Sequence, residues 1–146
     1  MDTTQINKKI SVPGFLGTFG YDHLPPRKEE DFSLVINTEV TSEPGAHWIA
    51  LVKKDKLLYF LDSYGRNVKH PTFPTGFQKA VLKYIGDSRW KFNPLLLQQL
   101  ISNVCGEYCV YFIQELAKGG LTKALSIFSD NSVENDKLVL EYVNNL

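Results

Sequence analysis

The stretch 47-HWIALVKKDKLLYFLD-62 reads as two strands around a polar tip, and its pairing decides both the fold and the site. The runs 47-HWIALVK-53 and 56-KLLYFLD-62 are apolar on both faces, as strands in the middle of a covered sheet are. With Lys54-Asp55 as the turn, opposed residues carry numbers that sum to 109, which sets His47 against Asp62. Directly opposed residues of an antiparallel pair hold their Cβ atoms about 4.5–5.5 Å apart, so an imidazole reaches a carboxylate there. A histidine alone is usually satisfied by a carbonyl, and an aspartate alone often only ends a strand. Paired, they have the form of a general base and the group that orients it.

Outward from the hairpin, 32-FSLVINT-38 is a short apolar run bounded by acidic residues and by 41-TSEPG-45, and reads as a buried strand. Glycines, aromatics and prolines mix in 14-GFLGTFGYDHLPP-26, which suits an ordered loop without regular elements. Phe77, Val81, Tyr84 and Ile85 share one face of a helix over 74-PTGFQKAVLKYIG-86, closed by its glycine. An edge strand fits 89-RWKFN-93, interrupted by Pro94. From Cys105 the period turns helical, with Tyr108, Cys109, Phe112, Ile113 and Leu116 on one stripe, Ser102 or Asn103 as its cap and Gly119-Gly120 as its end. Two amphipathic helices follow, over 121-LTKALSIFSD-130 and 132-SVENDKLVLEYVNNL-146, broken at Asp130-Asn131-Ser132. The expected class is α+β: a central mixed or antiparallel sheet, a buried helix carrying Cys105, and covering helices.

The 146 residues fit one domain over 1–146, with the polar residues 1–13 open to being flexible. The opening MDTTQINKKI lacks an apolar signal core and no run is long enough to span a bilayer, so a chain that is neither exported nor membrane-bound is expected. Two cysteines four apart make no disulfide framework, and no second Cys/His cluster completes a metal site; the sequence calls for no cofactor. Sixteen Lys and Arg balance sixteen Asp and Glu, at a sequence pI near 6.8, so net charge gives no pull toward nucleic acid. Local basic clusters do occur, at Lys53, Lys54 and Lys56 on the hairpin tip and at Lys79, Lys83, Arg89 and Lys91, though such charges are usually a solvated face.

The stretch 98-QQLISNVCGEYC-109 holds the second half of the chemistry. A thiol in the first turn of a helix lies beside unpaired N–H groups and the positive dipole end, which favours thiolate at Cys105. Packing alone would also place a cysteine on this stripe, and for Cys109, one turn deeper, packing is the better reading. Acyl transfer needs donors at the developing oxyanion: Gln98 or Gln99 supplies one and the N–H of Cys105 another, with Gly106 admitting a substrate backbone. Trp48 reads as a core indole, or as a wall beside His47. His23 and His70 have no partner that the sequence places.

The segments 15-FLGTF-19, 35-VINT-38, 46-AHW-48, 60-FLDSYG-65 and 98-QQLISNVCGEYC-109 fall in the order found in the adenovirus-type endopeptidases (adenain). The chain resembles that family from about Gly14 to about Leu116, and still more closely the short proteases of Maverick/Polinton-type elements and virophages. The resemblance implies a papain-like active site in permuted order: His47 as base, Asp62 as orienter, Gln98 for the oxyanion and Cys105 as nucleophile. It also implies a monomeric endopeptidase that processes capsid or core precursors during virion maturation, in the virion and the host cytoplasm or virus factory, cutting beside small residues. A peptide or DNA activator belongs to that picture; DNA binding by this chain is left open. Asp62 stands where adenain has a glutamate, as in the related SUMO proteases. Gln98 lies seven residues before Cys105, the adenain spacing, and Gln99 six, the SUMO-protease spacing. The rival readings are therefore a SUMO-type isopeptidase and a protease-derived binding module that has kept the groove.

Overall fold

The computed structural model describes residues 1–42 and 47–146, so Glu43–Gly45 of the loop and Ala46 of the 46-AHW-48 motif lie outside the described residues. Within them the chain is an α+β fold. The elements run α1 (Thr3–Lys9), β1 (Phe15–Gly20), β2 (Phe32–Asn37), β3 (Trp48–Lys54), β4 (Leu57–Leu61), α2 (Thr75–Ile85), β5 (Trp90–Phe92), α3 (Cys105–Lys118), α4 (Leu121–Leu125) and α5 (Ser132–Asn144). Among the described residues the strands form one mixed sheet in the order β1-β2-β3-β4-β5, parallel at its two edges and antiparallel in the middle.

Both faces of the sheet are covered, which is why β2 to β4 read as continuous apolar runs. On one face Leu34, Ile36, Ile49, Leu51, Leu58 and Phe60 pack with Phe77, Val81 and Ile85 of α2. On the other, Val35, Ala50, Val52 and Leu61 pack with Tyr108, Phe112, Ile113 and Leu116 of α3, so α3 is a buried central helix. Capping follows the local chemistry. Gly86 ends α2 at φ 59°, and Asn131 starts α5 by accepting the Glu134 N–H.

Two expectations near the N-terminus change. Residues 3–9 form a helix with a complete capping box, Gln5 N–H on Asp2 and Asp2 N–H on Gln5, and it buries Ile6. The stretch expected to be an irregular loop contains β1. Gly17, at φ 125°, breaks the alternation there, and the register against β2 shifts between Phe15 and Thr18, so the period of two is hidden.

The hairpin holds but its register moves. Lys54 pairs with Leu57, and the turn is Asp55-Lys56, both at positive φ (51° and 68°). That is the backbone a two-residue hairpin turn requires. Lys54 also has a reason to stay in the strand: its Nζ donates to the carbonyls of Leu116 (2.6 Å) and Gly119 (2.9 Å) at the end of α3. Opposed residues therefore sum to 111, as Ala50 and Leu61 do, rather than 109. A slip of two keeps every residue on its face. His47 and Asp62 are diagonal neighbours just beyond the strand ends, still within side-chain reach.

Candidate active site

The end of β3, the end of β4 and the start of α3 meet at one point. There His47 Nε2 contacts Asp62 Oδ1 at 2.6 Å. Cys105 sits close enough to the imidazole for each to shift the other's titration, with the Trp48 backbone N–H also favouring the thiolate. Thiol, imidazole and carboxylate thus lie in the order that a nucleophile, a base and its orienter would need. Tyr64 stacks on the His47 ring at a centroid distance of 5.0 Å and fixes its plane.

The electrostatics suit an ion pair. Burial opposes charge on His47, but the hydrogen bonds to Asp62 and Cys105 prevail and push its pKa up to about 9. Burial also resists a charged Cys105, and the His47 contact overcomes it, holding the thiol below its ordinary value. Asp62 is fully buried, yet its bonds to His47 and Arg66 keep it below the usual carboxylate range. One turn on, Cys109 is buried among apolar groups and desolvation pushes it well above the ordinary thiol value. The helix stripe thus carries one cysteine whose thiol is lowered and one whose thiol is raised.

α3 opens without a side-chain cap. Val104 occupies the cap position, not Ser102 or Asn103, and among the described residues no side chain accepts from the Cys105 N–H. Ser102 serves Gln98 instead. Gln98 is buried, its Oε1 accepting from Ser63 Oγ (2.6 Å) and its Nε2 donating to Ser102 O (3.0 Å) and Oγ (3.2 Å). Its backbone N–H is bound to Ser63 O, one residue past Asp62. Gln99 turns the other way, its Nε2 on Asp136 Oδ2 of α5 at 3.1 Å.

The remaining candidates separate. Trp48 is half-buried against the α3-side core and also lines a groove of about 480 Å³ with Phe19, His23, Asn37 and Thr41. Gly106 does allow a close approach, but by the chain's own α1: a Cβ there would meet Ile6 Cδ1 and Met1 Cβ at 3.2 Å each. His23 is exposed and bonded to Thr41, and His70 to Thr72; neither joins the triad.

Arg66 and Tyr64 were missed by sequence reasoning. Arg66 Nε donates to Asp62 Oδ2 at 2.7 Å, its backbone N–H reaches the same oxygen at 3.2 Å, and Nη2 lies 3.5 Å from Oδ1. The one available signal was 62-DSYGR-66, an acid and a base four apart around a glycine at φ 75°. Among the described residues no group of three or more His, Cys, Asp or Glu could hold a metal ion, and no helix is long and apolar enough to cross a membrane. The chain matches no family model, and no curated protein matches it.

Proposed function

We propose that the protein is a cysteine endopeptidase with a papain-like site, acting on precursor polypeptides as the adenain resemblance implies. The observation that carries this reading is the 2.6 Å contact of His47 with the buried Asp62, set beside Cys105 at the uncapped start of α3. The Cys105 thiolate attacks the scissile carbonyl carbon, and the carbonyl electron pair moves to oxygen. The Cys105 N–H is one donor for that oxyanion, and Gln98 supplies the second by turning an Nε2 hydrogen away from Ser102 toward the substrate. As the pair returns, the C–N bond breaks and His47 gives its proton to the leaving amine. Water, deprotonated by His47, then hydrolyses the thioester and restores the thiolate.

A peptide electrophile that carries acyl-side residues tests the reading. It should modify Cys105 much faster than iodoacetamide of equal intrinsic reactivity does, and capsid-type precursors co-expressed with the wild type, but not with Cys105→Ala, should appear as cleaved products by mass spectrometry. Cleavage of ubiquitin-like conjugates in place of precursors would move the assignment to the isopeptidase class. Equal labelling by both electrophiles would leave the groove as a binding module.

A further inference from the structure

We propose that Arg66 is a positioning residue of this site, clamping the Asp62 carboxylate chiefly through the oxygen that His47 does not take and setting the pH window in which the Cys105–His47 pair exists. The inference rests on reading Cys105 and His47 as nucleophile and base. Asp62 is fully buried and has two cationic partners, His47 at 2.6 Å on Oδ1 and Arg66 at 2.7 Å on Oδ2. A carboxylate taken out of water needs both its charge and its lone pairs satisfied, and one imidazole does neither fully. The fork geometry of arginine fills the remaining lone pairs.

Arg66 is itself held in place. Nη1 donates to Thr72 Oγ1 at 3.1 Å, and the guanidinium carbon lies 4.2 Å from the Phe73 ring centroid and 5.3 Å from that of Tyr64. Tyr64 in turn stacks on His47, so one guanidinium braces both the orienter and the ring over the base. The other titratable groups facing the cluster come from three elements. Tyr64 lies on the same loop, Glu107 and Cys109 on α3, and Asp136 on α5, where it accepts from Tyr108 and Gln99. Glu107 and Asp136 are acids, so among the described residues Arg66 is the one Lys or Arg side chain that hydrogen-bonds Asp62 and offsets them.

A permanent positive charge beside the cluster favours the deprotonated form of every member. Its removal must therefore move the titrations of Asp62, Cys105 and His47 in one direction, toward higher pH. A residue that merely packs would change stability or amplitude and leave the midpoints in place. The separation of charge from shape is experimental: Arg66→Met keeps the stem on Phe73 without the charge, and Arg66→Lys keeps the charge without the fork.

The test is the rate of iodoacetamide alkylation at Cys105 across pH, located by peptide mass spectrometry. Wild type should show a thiolate midpoint below the ordinary thiol range. In Arg66→Met the midpoint should move alkaline by about one pH unit, roughly tenfold slower alkylation on the acid limb. In Arg66→Lys it should stay in place while peptide turnover falls. An unmoved midpoint in Arg66→Met would overturn the proposal, as would a lysine variant displaced as far as the methionine one. Arg66→Gln, neutral but able to donate, replaces Arg66→Met if that chain fails to fold. A wild-type midpoint in the ordinary thiol range would instead remove the ion pair itself, and with it the proposed peptidase.

Discussion

Asp62→Asn perturbs the site with almost no change in shape, and its cost is worked from the imidazole. His47 is raised from 6.5 to about 9, a shift worth about 3 kcal/mol of preference for the charged ring. Among the groups that raise it, the Asp62 hydrogen bond stands ahead of the one to Cys105. If Asp62 supplies half or more of the shift, the amide variant loses about 1.5–3 kcal/mol of imidazolium stabilisation, or roughly 10- to 100-fold in turnover. Substrate affinity should change little, since the fully buried Asp62 offers nothing to a ligand. Arg66 then faces an amide. Its side chain is 21% exposed, so of the usual 3–5 kcal/mol for breaking a buried pair about 2–3 kcal/mol remains, a fall in Tm of roughly 6–10 °C.

The pH dependence carries the same sign. A histidine raised in the folded state stabilises it fully below pH 6.5, and that contribution is lost as pH rises toward about 9. Activity in wild type should likewise fall along an alkaline limb near pH 9. In Asp62→Asn that limb moves acid, toward the ordinary histidine value, and the stability slope between the two flattens. Steady-state kinetics on a quenched fluorescent peptide, with calorimetry over the same pH range, reads all three effects. Wild-type turnover with an unmoved alkaline limb would refute the reasoning and reduce Asp62 to a strand-end residue.

The other expectations are briefer. Cys105→Ala should abolish cleavage and electrophile labelling with the fold intact, while Cys109→Ala should lower stability by about 1–2 kcal/mol and remain active; circular dichroism and labelling separate the two. His47→Ala should match Cys105→Ala, with His23→Ala and His70→Ala retaining activity in the same assay. Gln98→Ala should reduce kcat by about 10²–10³, whereas Gln99→Ala should act mainly on Tm by releasing Asp136; the reverse ranking would move the oxyanion role by one residue. Duplex DNA at physiological salt should change the peptidase rate little. Of the hairpin-tip lysines, Lys54 is occupied at the end of α3 and Lys53 Nζ is on Glu29 O at 2.6 Å. A large stimulation with a log-log salt slope of about −0.9 per phosphate would contradict that.

Which parts of the site were legible follows from which physical signals are local. The 3.6 period from Cys105 to Leu116 is a property of one helix packed on one sheet face, so it marked α3 and separated Cys105 from Cys109 without tertiary information. The apolar hairpin was legible for the same reason. Its register was not, because the choice of turn depends on Lys54 reaching the end of α3, a contact made across 62 residues. The error still left His47 and Asp62 together. Side chains alternate with period two, so a slip of two residues preserves the face and turns a direct pair into a diagonal one; a slip of one would have put the base and its orienter on opposite sides of the sheet. The uncapped start of α3, the burial of Gly106 under α1 and the Arg66 clamp had no such protection. Each depends on how a loop or a terminal helix folds back, and no periodicity encodes that. The same distinction explains why the meeting of Cys105, His47 and Asp62 was legible and its support was not: these three candidates lie at the ends of regular elements, while Tyr64, Arg66 and Ser102 lie in the loops that join them.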